Sequence, residues 1–308
     1  MALAKAYSFQ AAAFFGWLGG TLVAISIGDL VGRKSYGCDI VFRVIQLNIK
    51  DGVAELAGED MRLCADAPIE DLVIIAGEER ENYEKKQKEL EAYSTKLFRQ
   101  DYQLLKAKRE YTATNGYRGR QAYFEMPGRV LHIDGDPYYL KKCLRVYEKL
   151  NVPVLGKYVK EEEMANVVPE LIKHVRPDIL VLTGHDAYMK NKGPEDDLKA
   201  YRHSAHFIRT VKEVRYHIPH LDQLVIFAGA CQSHFELLIR AGANFASSPT
   251  RVNIHALDPV YVVSKISYIP FTEHVNVWDV LHNTLSGTDG LGGVETRGLL
   301  RTGMPYKL

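Results

Sequence analysis

The sequence predicts an α/β protein with a parallel sheet flanked by helices, preceded by a small β-barrel and a charged connector helix. Three observations predict it. From Gly128 onward, short apolar runs alternate with amphipathic segments. Residues 27–77 alternate at the two-residue period of strands, and residues 78–115 are strongly charged and helical in pattern. A length of 308 residues accommodates one large domain or two to three smaller ones. Hydrophobic content of 46% and charged content of 25% are those of a soluble globular chain. A net charge of +1 offers no electrostatic case for nucleic acid as a partner. The four cysteines (Cys38, Cys64, Cys143 and Cys231) are far apart and include no CxxC pair, so reduced thiols are expected rather than a disulfide framework or structural zinc.

Residues 1–26 form a hydrophobic extension. "AAAFFGWLGGTLVAISIG" is about as long as a membrane span and carries no charge. Two readings stay open: a signal-like or anchoring segment, and a start codon placed too far upstream, with Val23 as an internally read GUG start. Membrane contact is expected only if this extension is real and retained. Residues 27–77 read as an SH3-like β-barrel: "IVFRVIQLNI", "VAELAG", "MRLCADAP" and "DLVII" are separated by Asp51-Gly52 and Gly58-Glu59-Asp60 turns. Residues 78–115 place Tyr83, Leu90, Leu97, Leu104 and Tyr111 seven apart, one apolar stripe on a helix expected to lie against a neighbour.

Residues 128–308 carry the β-α repetition. "RVLHID", "VPVLGKYV", "DILVLTG" and "LDQLVIFAG" read as parallel strands, each followed by a helical segment; the helix after the last is expected from Gln232 to a glycine stop. In such sheets, sites lie at the carboxyl ends of strands. Two of those ends carry reactive side chains: "LVLTGHDA" delivers His185 and "LVIFAGACQS" delivers Cys231, about fifty residues later. On neighbouring strands ~4.8 Å apart, an imidazole and a thiol at equivalent ends come within reach of each other. An imidazolium favours the thiolate and then protonates a leaving amine, and the Cys231 backbone N–H is a natural oxyanion donor.

The order histidine, then about fifty residues, then Ala-Cys resembles the caspase-type cysteine peptidase arrangement. It departs where that arrangement has glycine after histidine, because Asp186 stands there and Gly184 precedes. Either Asp186 or Gly184 is therefore the second oxyanion donor. A closer resemblance runs along nearly the whole chain. "GDLVGRKSYGCDIVFRV", "MPGRVLHIDGDPYYLKKCL", "RPDILVLTGHDAY" and "PHLDQLVIFAGACQSHFELLIRAGANFASSPTRVNIHALDPVYVV" are similar to the YabG family of sporulation-specific cysteine peptidases of spore-forming Firmicutes. That resemblance implies a caspase-like endopeptidase using Cys231 and His185, without a cofactor or metal. It implies spore coat and cortex-associated proteins as substrates, and action in the mother-cell cytoplasm and the forming spore coat.

Other residues rank below that pair. His234, three residues after Cys231, is a candidate neighbour of the sulfur. Ser247, Ser248 and Asn253 are candidates for binding peptide backbone, and Asp258 for a basic substrate side chain or, more simply, a helix start ahead of Pro259. Arginine-directed cleavage is an expectation suggested by caspase-like relatives. His203 and His206 at i and i+3 lack a third ligand at diagnostic spacing and read as a solvated helix face. "GLGGVETRG" is glycine-rich without the strand–turn–helix context of a phosphate loop. A class I glutamine amidotransferase is opposed by chain order, since no H-x-E follows the cysteine. The remaining rival is a non-enzymatic coat-assembly scaffold.

Overall fold

A computed structural model describes residues 14–18, 21–114, 124–282 and 284–303. The chain divides into two compact units: Met1–Glu59 with Cys64–Glu84, and Asp60–Leu63 with Lys85–Leu308.

The first unit is a sheet of β1 (Phe14–Leu18), β2 (Thr21–Ile25), β3 (Leu30–Arg33), β4 (Phe42–Asn48), β5 (Val53–Gly58), β6 (Cys64–Pro68) and β7 (Leu72–Ile74), in the order β2-β1-β7-β3-β4-β5-β6. Period-two alternation turns Phe42, Val44, Ala54 and Leu56 inward, and a bulge between Val44 and Gln46 leaves Ile45 exposed. Among the described residues this sheet is open, not a closed barrel. Part of the hydrophobic extension, the β1–β2 hairpin, pairs with β7 in parallel at Trp17↔Val73. Among the described residues, no helix is long and apolar enough to cross a membrane.

Helix α1 (Gly77–Thr114) runs on from the first unit into the second. The face it buries is not the seven-residue stripe. Leu104 is 70% exposed, whereas Ser94 and Phe98 are buried. After β8 (Phe124–Met126) and β9 (Val130–Asp134) come α2 (Pro137–Lys149), β10 (Val154–Tyr158), α3 (Met164–Val175), β11 (Ile179–Thr183), α4 (Ser204–His217), β12 (Val225–Ala228), α5 (Phe235–Ala241), β13 (Phe245–Ser247) and α6 (Asp258–Tyr268). Short pieces close the chain: β14 (His274–Val275), α7 (Val277–Leu281), α8 (Gly287–Gly290), β15 (Leu291–Gly293), β16 (Thr296–Arg297) and β17 (Arg301–Gly303). Phe98 and Tyr102 of α1 stack edge-on against Tyr268 of α6, and Asp101 pairs with Lys265.

The main sheet has the order β10-β9-β11-β12-β13-β15, parallel except at β15. Leu131, Ile133, Leu180, Leu182, Ile226 and Ala228 face a core shared with Met164 and Val168 of α3, Phe207 and Val211 of α4, and Leu238 of α5. The other face is covered by α2 and α6. Every residue of β9, β11 and β12 is buried, as a sheet covered on both sides requires. The order reverses between β9 and β11, so the crevice of this doubly wound sheet opens at the carboxyl ends of those strands.

Candidate active site

Four strand ends meet at that crevice. Strands β11 and β12 are neighbours, paired in register through Leu182↔Ala228. His185 and Cys231 each lie three residues beyond that rung, at equivalent positions.

Cys231 sits in a tight turn. Gly229 adopts φ +110°, and a Cβ there would meet Ser247 Oγ at 2.4 Å. Ser247 Oγ donates to the Ala230 carbonyl (2.8 Å), and Ser233 Oγ accepts from the Ala230 N–H (2.9 Å). Ser248 Oγ accepts from the Gln232 N–H (2.8 Å), and Asn253 Oδ1 accepts from Gln232 Nε2 (3.1 Å). These side chains therefore brace the turn that carries Cys231. The helix expected from Gln232 starts later, because Gln232 is left-handed at φ +57° and α5 begins at Phe235. The Cys231 sulfur is buried and accepts a hydrogen bond from the Ile254 N–H at 3.2 Å.

His185 is held on two sides. Its N–H donates to Glu161 Oε1 (3.0 Å), and Nε2 pairs with Asp136 Oδ2 (2.8 Å). Tyr139 packs on the ring, with centroids 5.1 Å apart. Nδ1 is buried and has no hydrogen-bond partner among the described residues. Burial raises the Asp136 carboxyl, but the hydrogen bond and charge of His185 outweigh this and hold it below the usual range. Glu161 is raised by burial and lies where a Cβ on Gly135 or Gly184 would stand, which explains glycine at both positions.

Residues Asp60–Leu63 run through this crevice with a tight turn at Arg62, closed by the Leu63 N–H donating to the Met61 carbonyl (2.7 Å). The Arg62 N–H donates to the Ile254 carbonyl (3.2 Å), the Ala256 N–H donates to the Asp60 carbonyl (2.7 Å), and Met61 bridges antiparallel to His255. The Arg62 carbonyl oxygen accepts from two N–H groups, those of Cys231 (3.2 Å) and Asp186 (3.4 Å). The Arg62 side chain is fully buried against Asp134, with Nη1 to Oδ1 at 3.2 Å and Nη2 to Oδ2 at 3.0 Å. Its other partners are the carbonyls of Ala256 (Nε, 3.1 Å) and Gly184 (Nη1, 3.5 Å) and the Cys143 sulfur (Nη2, 3.4 Å). Burial raises the Asp134 carboxyl, but the Arg62 charge overrides this and holds it far below the usual range. His132, which burial keeps neutral, bonds Asp134 through Nε2 (3.3 Å) and Tyr147 through Nδ1 (3.1 Å). His132, Asp134 and Cys143 bring nitrogen, oxygen and sulfur donors within 4.8 Å of one another, a set able to hold a metal ion. In this structure the cation beside them is the Arg62 guanidinium.

The comparisons with known proteins agree with a peptidase. Residues 26–305 match the family model described as YabG peptidase U57. The chain belongs to this family. It is 59% identical over 284 residues to the "Sporulation-specific protease YabG" of Bacillus subtilis (strain 168), covering 91% of this chain and 98% of that protein. No solved structure matches. The family's activity is proteolysis, and the function of this member is that of a sporulation protease.

The remaining sequence candidates fall elsewhere. The Asp186 side chain is buried and accepts from the Ser204 and Ser233 hydroxyls and from the N–H groups of His203 and Ala187. Burial nonetheless raises its carboxyl. Gly184 offers its carbonyl to Arg62 and not its N–H. His234 packs on Tyr201 (5.1 Å between centroids) and pairs with Glu236 (3.1 Å). Asp258 opens α6 and accepts from the N–H groups of His255 (3.1 Å) and Leu285 (2.7 Å), while the basic side chain in the crevice meets Asp134. His203 stands at the N-cap of α4.

Sequence reasoning missed Arg62, Asp134, Asp136 and Cys143. For the aspartates a signal existed: "HIDGD" closes the first parallel strand, at the sheet edge where sites are found. Arg62 left none, since "MRLCADAP" reads as a strand of the small barrel, whereas the strand starts only at Cys64.

Proposed function

We propose that this sporulation protease is a cysteine endopeptidase in which Cys231 is the nucleophile and His185 the acid–base group. One observation carries the reading: a main-chain carbonyl oxygen, that of Arg62, accepts from both the Cys231 and Asp186 N–H groups. A substrate carbonyl in that place has its oxygen against two donors ready for an oxyanion, one of them the N–H of Cys231 itself. His185 Nδ1, left unbonded while Asp136 holds Nε2, takes the thiol proton and gives it to the leaving amine. Water then attacks the thioester, and the same nitrogen accepts its proton as the acid product leaves. Asp186 thereby supplies the second donor through its main chain, a role that needs no glycine.

The same peptide places an arginine side chain on Asp134, which supports cleavage on the carboxyl side of arginine. Histidine after the third parallel strand and cysteine after the fourth support the caspase-like reading of the second unit. The order β7-β3-β4-β5-β6, with a 3-10 turn at Ile69–Asp71 before the last strand, supports the SH3-like reading of the first. Spore coat and cortex-associated proteins are the proposed substrates, in the mother-cell cytoplasm and forming coat.

The test is incubation of the pure wild-type and Cys231→Ala proteins with isolated immature coat proteins, followed by mapping of new termini. Termini following arginine are expected with the wild type and none with the variant. Unimpaired processing by Cys231→Ala removes the nucleophile assignment.

A further inference from the structure

We propose that Cys143 is a specificity-determining residue of this protease, its sulfur completing a pocket that fits a guanidinium and turns away an ammonium. The proposal rests on the reading of the Arg62 site as the place of the residue before the scissile bond.

A guanidinium has five N–H donors in a rigid plane: one on Nε and two on each Nη. The pocket has five acceptors for them. The Ala256 carbonyl takes Nε, Asp134 Oδ1 and the Gly184 carbonyl take Nη1, and Asp134 Oδ2 and Cys143 Sγ take Nη2. The fork-on-fork contact with Asp134 fixes the plane. The Tyr139 ring closes one face, its centroid 5.1 Å from the guanidinium carbon.

Cys143 is itself oriented. It lies on α2, fully buried, and its thiol points 3.6 Å from the Ala256 carbonyl. With its S–H directed at the Ala256 carbonyl, the sulfur turns its lone pairs to Nη2, 3.4 Å away. A lysine ammonium concentrates three donors on one nitrogen at the end of an unbranched stem. It can meet Asp134, but it cannot also satisfy the sulfur and the Ala256 carbonyl on the opposite flank. Acceptors left unpaired without water are costly, so lysine is disfavoured.

In this structure the pocket is filled by the chain's own Arg62, so the experiment uses full-length Arg62→Ala protein. It compares kcat/KM for matched peptides carrying arginine or lysine before the scissile bond, with and without Cys143→Ala. Removal of the sulfur is expected to lower the arginine-to-lysine ratio on the order of tenfold. Cys143→Ser, which restores an acceptor, is expected to recover most of it. An unchanged ratio in Cys143→Ala overturns the proposal. The same variants in the wild-type chain, acting on an unfolded protein substrate, give the ratio a second way through the termini after arginine and lysine. Cys231→Ala separates the two readings. If it still cleaves, the catalytic assignment fails. If it is inactive and the Cys143→Ala ratio is unchanged, only the pocket assignment fails.

Discussion

Asp134 and Asp258 are both fully buried, yet burial ends differently for each. Asp134 faces the Arg62 guanidinium and is held far below the usual carboxylate range. Asp258 faces His255, which burial keeps neutral, along with main-chain N–H groups and Ser286, and burial pushes its carboxyl up. A full cation delivered to a buried carboxylate outweighs burial, whereas at Asp258 the hydrogen bonds do not. The difference also separates roles that sequence could not: Asp134 stands at a strand end beside the crevice, while Asp258 starts a helix and braces the loop at Leu285.

The strongest way to break this contrast is Asp134→Asn. It leaves the buried Arg62 charge without its counter-ion, and unfolding in urea should show a loss of about 3–5 kcal/mol at neutral pH. The sign with pH follows from the lowered carboxyl. Its stabilisation is fully present above the unfolded value, about 3.9, and is lost as pH falls toward the lower folded value. The gap between wild type and variant should therefore close below about pH 4. A gap that persists in acid would show that the loss is packing and not charge.

Asp136→Asn comes next. In the proposed mechanism Asp136 positions His185, so kcat is expected to fall about 10²-fold with KM nearly unchanged. Asp136→Glu should restore part of kcat. A rise in KM with kcat intact would instead place Asp136 in substrate binding.

Asp258→Asn should have the smallest effect. A carboxyl raised by burial favours the protonated fold, so its contribution to stability improves as pH falls toward the raised value. The neutral amide should change stability by no more than about 1 kcal/mol at neutral pH. It should leave the arginine-to-lysine ratio where it was. A collapse of that ratio would return the basic-side-chain role to Asp258.

Much of the second unit was legible in sequence because its strands are buried on both faces and read as unbroken apolar runs. "DILVLTG" and "LDQLVIFAG" place His185 and Cys231 at equivalent offsets without any knowledge of pairing. The details that failed were local and conformational. The polar residues before "FELLIRAG" resemble a helix start and so predict helix from Gln232, but the turn needs its left-handed backbone. The heptad stripe of α1 misled because the buried face is chosen by the neighbour: Tyr268 and Lys265 select Phe98, Tyr102 and Asp101. Arg62 was illegible because its partners at 134, 143, 184 and 256 converge only once the sheet has formed.

The placement of Arg62 bears on what a measured KM would mean. If a substrate arginine takes the place proposed above, it has to displace a side chain joined to the fold, a competitor whose effective concentration is independent of protein dilution. Under that reading the Michaelis constant of the intact chain reports a competition carried within the protein itself, and dialysis or dilution leaves it in place.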